Sequence, residues 1–169
     1  GSQSSGEAFS SDYDLPNDTV YAESCASIGL MMFAPRMLEM EGDSQYADVM
    51  ERALYNTVLG GMALDGKHFF YVNPLEVHPK SLKFNHIYDH VKPIRQRWFG
   101  CACCPPNIAR VLTSIGHYLY TPREDALYIN IYAGNSMEVP VENGTLRLRV
   151  RGNYPWQEQV TIAVESPQP

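Results

Sequence analysis

The residues best suited to chemistry are one glutamate and four cysteines: Glu23, Cys25, Cys101, Cys103 and Cys104. Three of the cysteines fall in Gly100-Cys101-Ala102-Cys103-Cys104-Pro105-Pro106-Asn107. The fourth follows a carboxylate by two residues, in Glu23-Ser24-Cys25. Thiolates with a carboxylate form a donor set that zinc accepts, usually as four ligands in a closed site. The two pieces read as halves of one soft-metal site. Spacing alone leaves other readings open. Neither C-x-C-C nor E-x-C is a common zinc-finger spacing, four cysteines can make two disulfides, and cysteine is often just a small buried apolar residue. A metal held this way would serve structure as readily as catalysis.

The elements that must position these residues are partly legible. Pro105 and Pro106 suit the first turn of a helix, where the missing N–H is not needed. Ile108, Val111, Leu112 and Ile115 follow at helical spacing, with Leu119 continuing the face. Cys103 and Cys104 then lie at or just before the helix's positive end, which favours a thiolate. Cys104 precedes a proline and is expected to be extended rather than helical. Upstream, Asn17, Asp18 or Thr19 is a candidate cap for a helix from about Val20 to Glu41. Its apolar residues include four methionines, read as core filler. Pro35 should kink or interrupt it. On a regular helix Glu23 and Cys25 would be separated by about 200°, so a shared ion requires irregular backbone there. Gly42-Asp43-Ser44 ends one helix and caps the next. Tyr46, Val49, Met50, Ala53, Leu54 and Val58 form an amphipathic face on the latter, closed by Gly60-Gly61. Together the two make a helical hairpin.

The flanks are less regular. Residues 1–19 are polar and turn-rich, with Glu7 after Gly6 and Asp12, Asp14, Asn17 and Asp18 around Pro16. They read as a solvated loop or as the lining of a sugar site. Phe69 to Val72 reads as a strand stopped by Asn73-Pro74. His68, His78, His86 and His90 fall in the same region. His86 and His90 are spaced i, i+4, but the H-E-x-x-H zinc pattern is absent. Trp98 and Phe99 suit stacking on a sugar ring or burial in a core. After Tyr120-Thr121-Pro122 the period becomes two. Leu127, Ile129 and Ile131 form one run, Leu146, Leu148 and Val150 a second, and Val160, Ile162 and Val164 a third. Asn143-Gly144 is the expected hairpin turn, and Arg147, Arg149 and Arg151 are expected on the wet face.

The chain has 169 residues, 44% of them hydrophobic, with a formal net charge of −6 and a pI of about 5.3. That acidity, with no basic stripe, excludes a general nucleic-acid binder. No apolar run reaches transmembrane length and no signal peptide is visible. Clustered cysteines without disulfide spacing lean toward a reducing compartment, hence a cytoplasmic location. The start, Gly1 to Gly6, reads as a tag scar or the middle of a longer protein, and the end, Ser166 to Pro169, as a cut.

Four stretches together resemble glycoside hydrolase family 127, the β-L-arabinofuranosidase family. They are Gly6-Glu7-Ala8-Phe9, Tyr13-Asp14-Leu15-Pro16-Asn17-Asp18-Thr19, Ala22-Glu23-Ser24-Cys25-Ala26-Ser27 and Cys101-Ala102-Cys103-Cys104-Pro105-Pro106-Asn107. The resemblance implies mixed α and β structure: part of an (α/α)6 helical barrel followed by antiparallel β-sandwich strands. Residues 1–120 would be the C-terminal part of the catalytic barrel, and 121–169 the start of a β-sandwich domain. Carried over by motif, Glu23, Cys25, Cys103 and Cys104 match the zinc ligands, Cys103 the nucleophile and Glu7 the general acid/base. Cys101 carries no ligand role. Ser24 stands where threonine is common in the family. The implied activity is that of a retaining glycosidase on β-L-arabinofuranosides or related sugars, with a carbohydrate as partner, and a homodimer is compatible with it. Little turnover is expected of these 169 residues alone, since half a barrel would be missing. Alternatives are a non-catalytic zinc-stabilised module and a disulfide-linked carbohydrate-binding domain.

Overall fold

The structure, a computed structural model, describes residues 8–123, 126–142 and 144–165. The chain divides between Ile115 and Gly116 into two compact units. The first is helical. Helix α1 spans Ser24–Glu41, α2 Gln45–Arg52, and α2 runs on through a π-helical turn, Ala53–Val58, into α3, Leu59–Gly61. Helix α4 spans Cys104–Thr113. Among the described residues, 62–103 hold no longer helix than the 3₁₀ turn His86–Tyr88.

The core of this unit follows the apolar spacing. Ile28, Met31, Ala34 and Leu38 of α1 are buried, as are Met50, Ala53, Leu54 and Val58 opposite and Ile108 and Val111 of α4. Burying such side chains contributes about 1.5–3 kcal/mol each. That gain is sufficient to override local preference at Pro35. The proline lies inside α1 without ending it, contrary to the interruption expected from its missing N–H. It is flanked by buried Ala34 and faces the same turn as buried Met31 and Leu38. Helix α1 ends as its sequence suggests: Gly42 takes a left-handed φ of 73° and its N–H reaches back to Leu38 O.

Two expectations are corrected here. The helix does not start at Val20; it starts at Ser24, because the preceding residues turn through Ala22, whose φ is +41°. Phe69 to Val72 is no strand. It makes isolated antiparallel bridges only: Phe69 with Met62 and Gln96, and Val72 with Glu23. Its would-be partners are a helix end and a loop, which offer single pairing positions rather than a ladder.

Among the described residues, the second unit carries the short helix α5, Gly116–Leu119, and five antiparallel strands. Strands β1, Tyr120–Arg123, and β2, Ala126–Ile129, pair as one two-stranded sheet. Strands β3, Asn135–Val141, β4, Gly144–Gly152, and β5, Val160–Glu165, form a second sheet in that order. Leu148 and Val150 are buried while Arg147, Arg149 and Arg151 are exposed, as the alternation requires. Val141 pairs with Gly144, so Gly144 of the expected Asn143-Gly144 turn belongs to the strand ladder. Its φ is +131°, and Asn143 lies outside the described residues. No described helix is long and apolar enough to cross a membrane.

Candidate metal centre

Two helix starts supply the site. In α4, Cys103 is the N-cap residue and Cys104 the first helical residue, followed by Pro105 and Pro106 in the first turn. Cys104 is therefore helical rather than extended. The bias against αR before proline is a preference only. Here it is outweighed by burial of the Cys104 side chain, which is completely inaccessible. In α1, Glu23 is the N-cap residue, with extended backbone (φ −65°, ψ 139°), and Cys25 lies one residue inside the helix. The 200° problem of a regular helix disappears because Glu23 stands outside it, bridged to Val72.

The four ligand atoms of Glu23, Cys25, Cys103 and Cys104 all lie within 4.8 Å of one another. Cys25 Sγ is 3.5 Å from Cys104 Sγ, and Cys103 Sγ is 3.8 Å from Cys104 Sγ. Glu23 Oε1 is 3.4 Å from Cys103 Sγ and 4.0 Å from Cys104 Sγ. A tetrahedral ion with metal–sulfur bonds of about 2.3 Å separates its sulfurs by about 3.8 Å. The observed edges match that figure, so one ion fits among the four. All four cysteines are free, so no disulfide occupies this space.

The electrostatics favour the same occupant. Burial pushes the Cys103 thiol up to about 12 and raises that of Cys104 as well. A buried thiol resists ionisation unless a cation compensates, and a bound divalent ion deprotonates it outright. Two helix N-termini, α1 and α4, add positive ends beside the sulfurs.

Sequence reasoning missed two neighbours. The Tyr71 hydroxyl is hydrogen-bonded to Cys103 Sγ at 3.1 Å. Burial, then its bond to Cys103, raises the Tyr71 phenol well above its ordinary range. Asn107 Nδ2 donates to Cys25 Sγ at 3.2 Å. Asn107 sat inside the cysteine motif, one helical turn past Cys103, and that spacing was the available signal. Tyr71 carried none: within Phe69-Phe70-Tyr71-Val72 it looked like any other apolar-run aromatic.

Other expected residues fall elsewhere. Cys101 is exposed. Glu7 lies outside the described residues. His86 is fully exposed beside Asp89, and His90 stacks on Tyr21 with ring centroids 5.5 Å apart, so the i, i+4 pair shares no site. His68 pairs with Asp65 and His78 with Glu76. Trp98 lines a cleft of about 310 Å³ with Phe69, Pro105, Ile108 and Leu112, and none of the four ligands lines that cleft.

Known proteins resemble this chain over nearly its whole length. The family described as β-L-arabinofuranosidase, GH127 catalytic domain, matches residues 1–117. A non-reducing end β-L-arabinofuranosidase of Bifidobacterium longum subsp. longum is 44% identical over 167 residues, 99% of this chain and 25% of the relative. Among solved structures, a GH127 β-L-arabinofuranosidase from Geobacillus stearothermophilus T6 superposes with a TM-score of 0.91 at 54% identity, covering 97% of this chain and 26% of that one. A further GH127 β-arabinofuranosidase gives a TM-score of 0.86 at 37% identity, covering 99% of this chain and 24% of that one. The chain thus spans about a quarter of the length of the relatives it matches. With a family match over more than half its residues, the chain belongs to glycoside hydrolase family 127.

Proposed function

We propose that this chain carries the metal and nucleophile half of a retaining glycosidase acting on β-L-arabinofuranosides or related sugars. The observation that supports this most strongly is the set of four ligand atoms within 4.8 Å of one another in a GH127 chain. In this reading residues 1–120 are the C-terminal part of an (α/α)6 catalytic barrel, and 121–169 open a β-sandwich domain.

Zinc is the proposed ion, held by Glu23, Cys25, Cys103 and Cys104. Three thiolates and a carboxylate suit its softness and its preference for four ligands. When bound, zinc keeps Cys103 ionised and steadies it as a leaving group. The chain's own residues do the rest. Retention needs one group to attack and another to act as acid and then base. Glu7, protonated, donates to the departing glycosidic oxygen. Cys103 Sγ attacks the anomeric carbon as the carbon–oxygen bond breaks, giving a thioglycosyl intermediate. Glu7, now ionised, removes a proton from water, whose oxygen displaces Cys103 and restores the thiolate. Tyr71, at 3.1 Å from Cys103 Sγ, orients the sulfur through both steps.

The test is hydrolysis of an aryl β-L-arabinofuranoside by the protein in its longest natural form, with metal content measured alongside. Cys103→Ser and Glu7→Gln should each abolish turnover while leaving the fold. A Cys103→Ser variant with unchanged turnover would remove the nucleophile assignment. Bound zinc without turnover in the unsubstituted protein would favour the non-catalytic module instead.

A further inference from the structure

We propose that Asn73, acting through the Ser24 hydroxyl, is a positioning latch that turns Glu23 and Cys25 toward one ion. The inference rests on the reading of the four residues as a metal site.

The starting observation is Ala22. Its φ of +41° lies in the left-handed region, where a residue with a Cβ persists only if its surroundings hold it. Asn73 does so twice. Its backbone N–H and its side-chain Nδ2 both donate to Ala22 O, each at 3.1 Å. The second hydrogen of Nδ2 goes to Ser24 Oγ, also at 3.1 Å. The Ser24 hydroxyl, an acceptor in that bond, spends its own proton on Phe70 O at 3.0 Å. Ser24 N–H donates to Tyr71 O at 2.9 Å. Ser24 is completely buried, so each of these bonds replaces water that cannot enter.

The result is a helix start held in one orientation, with Glu23 extended ahead of it and Ser24 and Cys25 in its first turn. Ser24 points into the network, and Glu23 and Cys25 on either side of it point out, toward Cys103 and Cys104. Gly61 leaves the space: a Cβ there would lie 3.2 Å from Asn73 Oδ1 and 3.6 Å from Ser24 Oγ. None of the latch atoms is a metal ligand, and none of its bonds reaches the first turn of α4. The latch meets the other half at Tyr71 O, which accepts from Ser24 N–H and lies 4.0 Å from Cys104 Sγ, while the side-chain bonds of Asn73 and Ser24 stay clear of α4.

Cobalt(II) is the probe, because the thiolate-to-cobalt charge-transfer intensity per bound ion follows the number of sulfurs bound. The unsubstituted protein should show three thiolates. Asn73→Ala should show two, with Cys25 lost, and should surrender its metal to a chelator about 10-fold more readily or worse. Cys25→Ala should reproduce that spectrum, and adding Asn73→Ala to it should change the spectrum no further. Ser24→Ala, which removes one hydroxyl only, should move in the same direction and serves if Asn73→Ala fails to fold. A lowered Tm with the three-thiolate spectrum intact in both variants would overturn the latch. Absence of any thiolate-to-cobalt band in the unsubstituted protein would overturn the metal reading itself, which is a separate result.

Discussion

The two helix starts that gather the four candidate ligands are built in opposite ways. At α4, Cys103 and Cys104 are adjacent and are placed by the sequence that follows them: two prolines suited to a first turn, then a buried face through Ile108 and Val111. At α1, Glu23 and Cys25 are placed by residues nearly fifty positions away, through the bonds from Asn73 to Ala22 and Ser24. Neither N-cap residue makes a side-chain capping bond. In both, the side chain that would ordinarily cap the helix is given to the ligand cluster. The candidate metal site is thus half local and half dependent on tertiary structure. The local half should tolerate perturbation of the global fold better than the other.

The largest expected effect breaks the local half. Cys103→Ser should reduce turnover by roughly 10⁴-fold or more, read as kcat on an aryl glycoside. Cys25→Ser should be milder per bound metal, because it removes a ligand and leaves the attacking sulfur. Equal losses in both would mean that the halves act as one unit. Next comes Asn107, which joins the halves from outside the four candidate ligands, since it sits on α4 and donates to Cys25. Asn107→Ala should weaken metal binding by about 10- to 100-fold, measured by chelator competition. In the metal-stripped protein, Ser24→Ala should cost about 1–3 kcal/mol of stability through unsatisfied buried partners, measured by denaturant unfolding. The metal-stripped protein should also be alkali-sensitive. Cys103 is raised from 9.0 to about 12 in the folded state. Stability is full below pH 9 and falls as pH rises toward 12, because only the unfolded thiol ionises in that window. Metal should abolish this slope, which Tm across that range would show. The smallest effect is expected at Pro106→Ala, below about 1 kcal/mol, because α4 keeps Pro105 and its buried face.

This contrast also explains what could be read from the residues alone. The α4 start was legible because prolines, helical spacing and adjacent cysteines are local signals. That Glu23 and Cys25 meet the α4 cysteines was legible from donor chemistry and the family resemblance, and not from helix geometry, which pointed the two side chains apart. What resolves that conflict is the left-handed Ala22, and alanine gives no hint of a positive φ. Tertiary packing likewise carried α1 through Pro35 and left Phe69 to Val72 without a ladder. Among the strands, the alternation of Leu148 and Val150 with the arginines fixed the faces correctly. Gly144 joins the ladder opposite Val141, since Asn-Gly signals a turn without fixing the strand register.

The order of Glu23, Ser24 and Cys25 has a consequence for how this stretch can change over time. Side chains there go to the candidate ligand cluster, to the interior and to the cluster again. Substitutions that keep a hydroxyl at the middle position preserve that order. A single-residue insertion or deletion between the outer two does not: inside α1 each residue turns the next side chain by about 100°, which would carry Cys25 off the cluster. The segment should therefore hold its length and its outer residues and vary at the middle position among hydroxyl-bearing types.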